Sequence, residues 1–444
     1  MRATLTSLMV LTLAATPGVA EAQTALSLTL EEAIRMGVAH DPRLSEARAR
    51  DAAAVDVVAS NAALKKPTVT ASAGYLRTNH VPEFGFVQGG TFNVIFPDVP
   101  DNYRFRTEMD VPLYTAGRVD ALVASARAEQ QASAADLTAG EQDVRMDITR
   151  AYWGLVTARE NVRVLKQALD REDAYVGDVK SRVDAGVLPP NDLLSAQAQR
   201  ARESVQLIQA TNDAAVAQIA LGLLLGVGPD AAIEPASRVD QAIPGASDLA
   251  DQTAVALAGK GREQRGERIG LSARQAGLLA SASAALAGTK PTIGALAGVQ
   301  PARPNERFVP RTDVWNVSWD LGINVTWPLF DGGKSRADAA TASAQAESIA
   351  HRIEQFDARL ALEVRQALLD ITASRAALSA SGEAVAAATE AHRVVSERFS
   401  AGVATSTDVL DAQLALVQAE LERTRLLAGL RINEARLMRA IGSL

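Results

Sequence analysis

The 444-residue sequence predicts an α+β protein, mainly α, built from two copies of one strand and long-helix hairpin. Three observations predict it. The chain repeats itself: Val111-Pro112-Leu113-Tyr114-Thr115-Ala116-Gly117-Arg118 returns as Trp327-Pro328-Leu329-Phe330-Asp331-Gly332-Gly333-Lys334, and Arg182-Val183-Asp184-Ala185-Gly186-Val187 returns as Arg398-Phe399-Ser400-Ala401-Gly402-Val403, both offset by 216 positions. Leu221 and Gly226 meet Leu437 and Gly442 at the same offset, so the repeat runs without a gap and fixes the architecture ahead of any local signal. Two long stretches lack Pro and carry heptads, and four shorter ones alternate with period two.

The N-terminus reads as a secretory signal over residues 1–22. Arg2 supplies the positive start, Leu5 to Ala15 the apolar stretch, and Ala20-Glu21-Ala22 the A-x-A site before Gln23. Leu30 to His40 predicts a short amphipathic helix, stopped by Asp41-Pro42, and Pro42 to Leu64 a second, Ala-rich one. Lys65-Lys66-Pro67 ends it, as Lys290-Pro291 ends its counterpart.

Strands are expected at about 68–76, 103–113, 292–300 and 315–328. The fourth is clearest: Trp315, Val317, Trp319, Leu321, Ile323, Val325 and Trp327 share one face, and Asn316, Ser318, Asp320, Asn324 and Thr326 the other. The second sets Tyr103, Phe105, Met109 and Val111 against Arg104, Arg106, Glu108 and Asp110. Strands of this length can cross a membrane when tilted. Tyr103, Trp315, Trp319 and Trp327 are candidate interface aromatics. Four strands cannot close a membrane barrel, and an open edge in lipid leaves unpaired backbone groups. Two chains would supply eight strands and three would supply twelve. Residues 77–101 and 301–314 read as connections, with Phe84, Phe86, Phe92 and Phe96 expected over the barrel mouth.

The elbows turn strand into helix. Pro112 and Pro328 cannot donate to a ladder and suit strand ends, and Gly117 and Gly332-Gly333 relax the redirected backbone. Gly333-Lys334-Ser335 resembles the tail of a phosphate loop, but Pro328 occupies the required glycine position. Long helices follow at 119–184 and 335–400, each about 100 Å at 1.5 Å per residue. Ile148, Leu155, Val162, Leu169, Val176 and Val183 fall every seventh position. A companion row, Val144, Ala151, Ala158, Leu165 and Val179, is interrupted by Glu172. The second copy keeps the register with Val364, Ile371, Leu378, Val385, His392 and Phe399. Return helices are expected at 191–225 and 405–441, half as long, with the helices at 42–64 and 261–287 stacking end to end on them. Residues 229–260 join a first repeat, 23–228, to a second, 261–444.

A net charge of -7 and a pI near 5.4 give no footprint for nucleic acid. With no Cys there are no disulfides, thiol nucleophiles or N-terminal lipid. Beyond the leader no apolar run reaches the roughly 18 residues of a membrane helix. His40, His80, His351 and His392 are scattered, and no G-x-S-x-G elbow occurs. The chain therefore reads as no enzyme, with no cofactor and no metal site. Asn316-Val317-Ser318 and Asn324-Val325-Thr326 lie inside a strand and are discarded as glycosylation sites.

The leader, the duplicated strand–elbow–helix units, and the Gly turn followed by Thr405-Ser406-Thr407-Asp408-Val409-Leu410-Asp411-Ala412-Gln413 resemble the TolC family of outer-membrane efflux proteins, over essentially the whole mature chain. The resemblance implies a homotrimer with a twelve-strand barrel in outer-membrane lipid of a Gram-negative bacterium and a helical tunnel across the periplasm. It implies an exit duct for a tripartite efflux pump or type I secretion system, linked by a membrane-fusion adaptor to an inner-membrane pump. Asp408 and Asp411 fall where the family sets its periplasmic gate, and Gly186, Val187, Asp192, Gly402, Val403 and Ser406 mark the adaptor-docking tip. Local chemistry has its own reading: Ser406 caps the helix and the two Asp favour its positive end. In the first repeat the equivalents are Asp192 and Ser195. The family's tip-locking Tyr and Arg correspond to Phe399 and Ala404, and Pro189-Pro190 is unusual, so the latch is expected to be weaker or built from other residues. The competing reading is a periplasmic coiled-coil spacer or envelope tether. Alternating strands flanked by aromatics favour the duct.

Overall fold

The computed structural model describes residues 26–237, 249 and 251–444; the leader over residues 1–22 lies outside them. The described chain forms two compact units. One comprises the described residues up to Gly37, those from Arg150 to Gln241, and Ala384–Ala428; the other comprises Val38–Thr149, Ala242–Glu383 and Gly429–Leu444.

The second unit carries the main sheet. Strands β2 (Thr68–Arg77), β5 (Asp101–Tyr114), β7 (Thr292–Arg303) and β8 (Asn316–Thr326) pair antiparallel in the order β2-β5-β7-β8, leaving β2 and β8 as edges. β3 (Phe84–Gln88) and β4 (Thr91–Phe96) form a separate hairpin where a plain connection was expected. Gly89 and Gly90 turn it with φ of 59° and 82°, the positive pair that a two-residue hairpin loop requires. Phe84 and Phe96 face each other across it at 6.3 Å.

In the same unit α2 (Pro42–Ala63) begins with Asp41 accepting from the Arg43 N–H at 2.7 Å, and Pro42 fills the first helical position. The helix expected at 261–287 is instead two, α5 (Ala254–Gln264) and α6 (Gly266–Ala287), broken at an extended Arg265. The break is tertiary in origin. Gly266 packs so closely on the carbonyl of Ala135 that a Cβ would overlap it. Arg265, buried, holds the corner through Glu267 at 2.8 Å, Glu363 at 3.3 Å and the Ala440 carbonyl at 3.4 Å. The adjoining apolar cluster joins Leu257, Leu360, Val364, Ile371, Leu430 and Leu437.

Two helices of 67 residues, α3 (Arg118–Asp184) and α7 (Lys334–Ser400), leave the elbows, and α4 (Pro190–Leu225) and α8 (Ser406–Ala440) return. The helix ends explain the repeat. At Gly186 and Gly402, each with φ of 76°, Val187 N–H donates to Arg182 O at 2.8 Å and Val403 N–H to Arg398 O at 2.9 Å. The return helices close the same way at Gly226 and Gly442, with φ of 72° and 80°. All four are glycine-terminated Schellman turns, which satisfy carbonyls that a helix end leaves unpaired.

The first unit includes α1 (Leu30–His40) as far as Gly37, opened by a reciprocal box in which Thr29 N–H donates to Glu32 at 2.9 Å and Glu32 N–H to the Thr29 hydroxyl at 3.3 Å. It also holds β1 (Leu26–Leu28) paired parallel with β6 (Ile233–Pro235), a two-stranded sheet that the sequence pattern did not reveal. Buried Tyr152 pins it: its hydroxyl donates to Leu28 O at 2.9 Å and accepts from Ser237 N–H at 3.0 Å. Among the described residues α4 is long and apolar enough to cross a membrane by length and composition alone, where no apolar run of that length was expected. One face of it is apolar and exposed in the single chain, with Val205, Ile208, Val216, Ile219 and Leu223. That is the pattern of a face awaiting another helix.

Candidate functional site

Two places carry the residues singled out from the sequence: the sheet with its elbows, and the helical tips. On β8 the odd positions point away from the rest of the chain, with Trp319, Leu321 and Ile323 70–75% exposed. Across the strand Asp320 is 19% exposed and bonded. Arg106 of β5 reaches over β7 to grip Asp320 at 3.0 and 3.1 Å and takes Glu108 at 2.7 Å. Gly298 lies beneath the pair, and a Cβ there would come within 2.9 Å of the guanidinium, so the arginine tip would have to shift. One face is thus hydrocarbon and the other a lattice of ion pairs, the division a strand makes between lipid and a wet lumen.

Four aromatics cluster at one end of this sheet. Tyr103 lies 5.1 Å from Tyr75 and 5.9 Å from Trp315, which lies 5.8 Å from Phe105. Trp315 precedes the first residue of β8 and Trp327 follows its last, donating to Thr289 O at 3.2 Å. Trp319 stands inside the strand opposite Val299, not at its end.

Pro328 lies just past β8, but Pro112 lies within β5, opposite Gly294, where the register shifts before Tyr114. Proline inside a strand is usual at such an irregularity, and the placement at a strand end is corrected for Pro112. Gly117, Gly332 and Gly333 all take positive φ, and Ala116 does so without being glycine, at 54°. Such a residue costs roughly 1–2 kcal/mol in this region. The second elbow is bridged by Asp331, whose carboxylate accepts from Gly333 N–H and Ser335 N–H, each at 2.9 Å.

At the tips, Val187 and Val403 are more than 60% exposed beside their glycines. Asp408 and Asp411 are exposed and three positions apart, so they share a face at the start of α8. The capping assignment to Ser406 is corrected. Thr405 and Asp408 form the reciprocal box: the Thr405 N–H and hydroxyl donate to Asp408 at 2.8 and 2.7 Å, and Asp408 N–H returns to the hydroxyl at 3.2 Å. The backbone N–H of Thr405 holds the Asp408 carboxyl below the usual range. Ser406 is 5% exposed and accepts from the Tyr175 hydroxyl at 2.8 Å, so it ties α8 to α3 and offers no free hydroxyl to a partner. Asp192 is half-buried at the start of α4, which opens on Pro189 with no side-chain cap.

The roles of Tyr175 and Arg182 in binding the tip together were missed in the sequence. Phe399 is buried against Val179 and Val409, 5.5 Å from the Tyr175 ring. Arg182 lies over its ring at 5.0 Å and donates to its carbonyl at 3.3 Å. Burial pushes the Tyr175 hydroxyl up to about 12, so it remains a donor. A hydroxyl and a guanidinium are therefore present here, but both come from the first repeat. Among the described residues no group of three or more His, Cys, Asp or Glu is placed to hold a metal.

The model of the family described as outer membrane efflux protein matches residues 33–227 and 271–443. The chain belongs to the outer membrane efflux protein family. Curated relatives include Protein CyaE of Bordetella pertussis, 28% identical over 94% of this chain and 84% of its own length, and outer membrane efflux protein BepC of Brucella suis, 24% identical over 90% and 83%. The fold is that of outer membrane protein VceC from Vibrio cholerae, with a TM-score of 0.77 at 21% identity over 93% of this chain and 96% of that one. The family is one of channels, not of catalysts. This outer membrane efflux protein is an exit channel of the Gram-negative outer membrane, for efflux or secretion, with its helical part in the periplasm.

Proposed function

We propose that three copies of the chain close one twelve-stranded barrel in outer-membrane lipid, and that the trimer is the passive exit duct of a tripartite efflux or type I secretion assembly. The observation that carries this is the sheet: four strands, two open edges, one hydrocarbon face and one charged face. Strand edges in lipid must pair, and four strands per chain reach a closed ring only by association. The exposed apolar face of α4 supports the same reading, because it needs a neighbouring helix.

In this reading residues 23–228 and 261–444 are the two repeats, with the leader removed. The turns at Gly186-Val187 and Gly402-Val403 with Asp192 dock a periplasmic adaptor, which connects the duct to an inner-membrane pump. Asp408 and Asp411 place six carboxylates around the axis as a gate. Energy comes from the pump, so the chain performs no catalysis and needs no cofactor. Ser406 is left out of the docking surface because it is buried.

The test is mass measurement of the mature protein in mild detergent, with crosslinking between Cys introduced on β2 and β8. Three copies joined edge to edge are expected. A folded monomer with protected strands sinks the barrel.

A further inference from the structure

Within the first unit, α3, α4, α7 and α8 pack through two apolar clusters. One joins Val179, Phe399 and Val409; the other joins Leu165, Ala168 and Val417. Between them in sequence on α3, α4 and α8 lies a layer that is polar: Glu172, then Gln199 and Glu203, then Gln413, none more than 9% exposed. Glu172 is fully buried, and neither of its carboxylate oxygens has a hydrogen-bond partner. Glu203 is 3% exposed; one oxygen accepts from Gln199 at 3.3 Å and the other has no partner. Gln413 donates to the backbone, at Ala168 O, 3.3 Å away.

An ionised carboxylate without partners is very costly to bury, and such a group takes a proton instead. The surroundings offer Glu172 little relief, while Glu203 receives some, from Gln199, then from the charge of Arg171 and from Gln413. On α3, Arg171 reaches Glu420 of α8 at 3.4 Å, Asp173 is paired with Arg200 of α4, and Tyr175 is bonded to Ser406. On α4, Arg202 is turned to Gln199 at 3.0 Å. From α7 comes His392, half-buried, whose protonation is disfavoured first by burial and then by Arg171. Burial, then Glu203 and Asp173, push Glu172 up to about 7, and burial raises Glu203 as well.

We propose that this layer is a proton-controlled hinge: with its carboxyls protonated the four helices stay packed next to the tips, and when the layer loses a proton α3 and α4 part there and admit water. The hinge is a property of the helices themselves. Its consequence for conduction rests on the proposed duct.

The sign follows from linkage. Glu172 holds its proton in the packed state up to about 7, whereas exposed glutamates release theirs near 4.5. Opening thus becomes easier as pH rises between these values, by about tenfold per pH unit for one released proton, and levels off above.

The experiment is hydrogen exchange on the intact mature protein at pH 5.5 and 7.5, corrected for intrinsic rates and followed in peptides covering 165–180 and 195–210. Protection in these peptides is expected to fall at least tenfold at the higher pH, while peptides of β5 and β7 stay constant. Glu172→Gln should remove most of that response, and Glu172→Gln with Glu203→Gln all of it, leaving protection at the pH 5.5 level. His392→Gln should leave the response intact. The proposal is overturned if wild type shows no response, if the Gln variants keep it, or if His392→Gln abolishes it. If the double variant fails to assemble, Glu172→Gln alone decides. Bilayer conductance separates the two readings. A hinge that opens without changing conductance supports the proposal and counts against the tip as a gate.

Discussion

Leu321 sits at the middle of β8, paired with Ala297 and flanked on its own face by Trp319 and Ile323. If that face meets acyl chains, Leu321→Arg buries a guanidinium near the midplane. Such a substitution in a membrane barrel costs about 2–4 kcal/mol, falling to about 0–1 near the interfaces. At 1.4 kcal/mol per decade that lowers the folding constant by about thirty- to several-hundredfold. Arg at Val317, two positions from the aromatic end at Trp315, should cost less than about 1 kcal/mol. Arg at Asn324, on the charged face, should stay within about 0.5 kcal/mol. The assay is denaturant unfolding of each variant refolded into liposomes, read by tryptophan fluorescence and gel mobility. Equal costs at 317 and 321, or a larger cost at 324 than at 321, would refute both the facing and the depth.

Other expectations concern the tips. Gly402→Leu forces a side chain into the left-handed region, where nothing blocks it sterically, so the backbone bears about 1–2 kcal/mol; adaptor crosslinking and export should fall while trimer mass is unchanged. Tyr175→Phe removes the bond to Ser406 and should cost about 1 kcal/mol, seen as faster proteolysis near residue 186. Phe399→Ala empties a buried site between Tyr175 and Arg182 and should cost about 3–5 kcal/mol by thermal unfolding. In planar bilayers Asp408→Ala with Asp411→Ala should raise conductance and abolish multivalent-cation block. Thr405 N–H holds Asp408 below the usual carboxylate range while crowding six carboxylates in a ring raises it, and wild-type block should weaken as falling pH protonates the ring. Block that is independent of pH down to the unfolding limit would point to other residues.

The sequence carried the elbows and tips clearly because each needs a left-handed residue, and glycine recurs at those points with a fixed offset. Strand facing was legible for the same kind of reason: β8 alternates without interruption. The β3–β4 hairpin was legible too, in Gly89-Gly90 between Phe-rich segments, and was read as a plain connection. The Thr405 box has the spacing of a capping box, so Ser406 was the wrong hydroxyl for a reason visible in the chain. The break at Arg265 was not legible, because its cause is the Ala135 carbonyl, far away in sequence. Tyr175 and Arg182 were equally hidden. A long helix offers many such side chains, and only the packed partner shows which ones meet Phe399.

The two turns of each chain share a shape but open onto different helix starts. Both close on a glycine with φ of 76° and an exposed valine. One then runs into Pro189-Pro190 with no side-chain cap, and the other into the Thr405–Asp408 box. A ring of three chains would present six turns of one outline, alternating between a stiff uncapped start and an acidic capped one. A partner that gripped only the outline would meet sixfold symmetry and could settle in either of two registers. A partner that read the helix starts would find three sites of each kind and a single register.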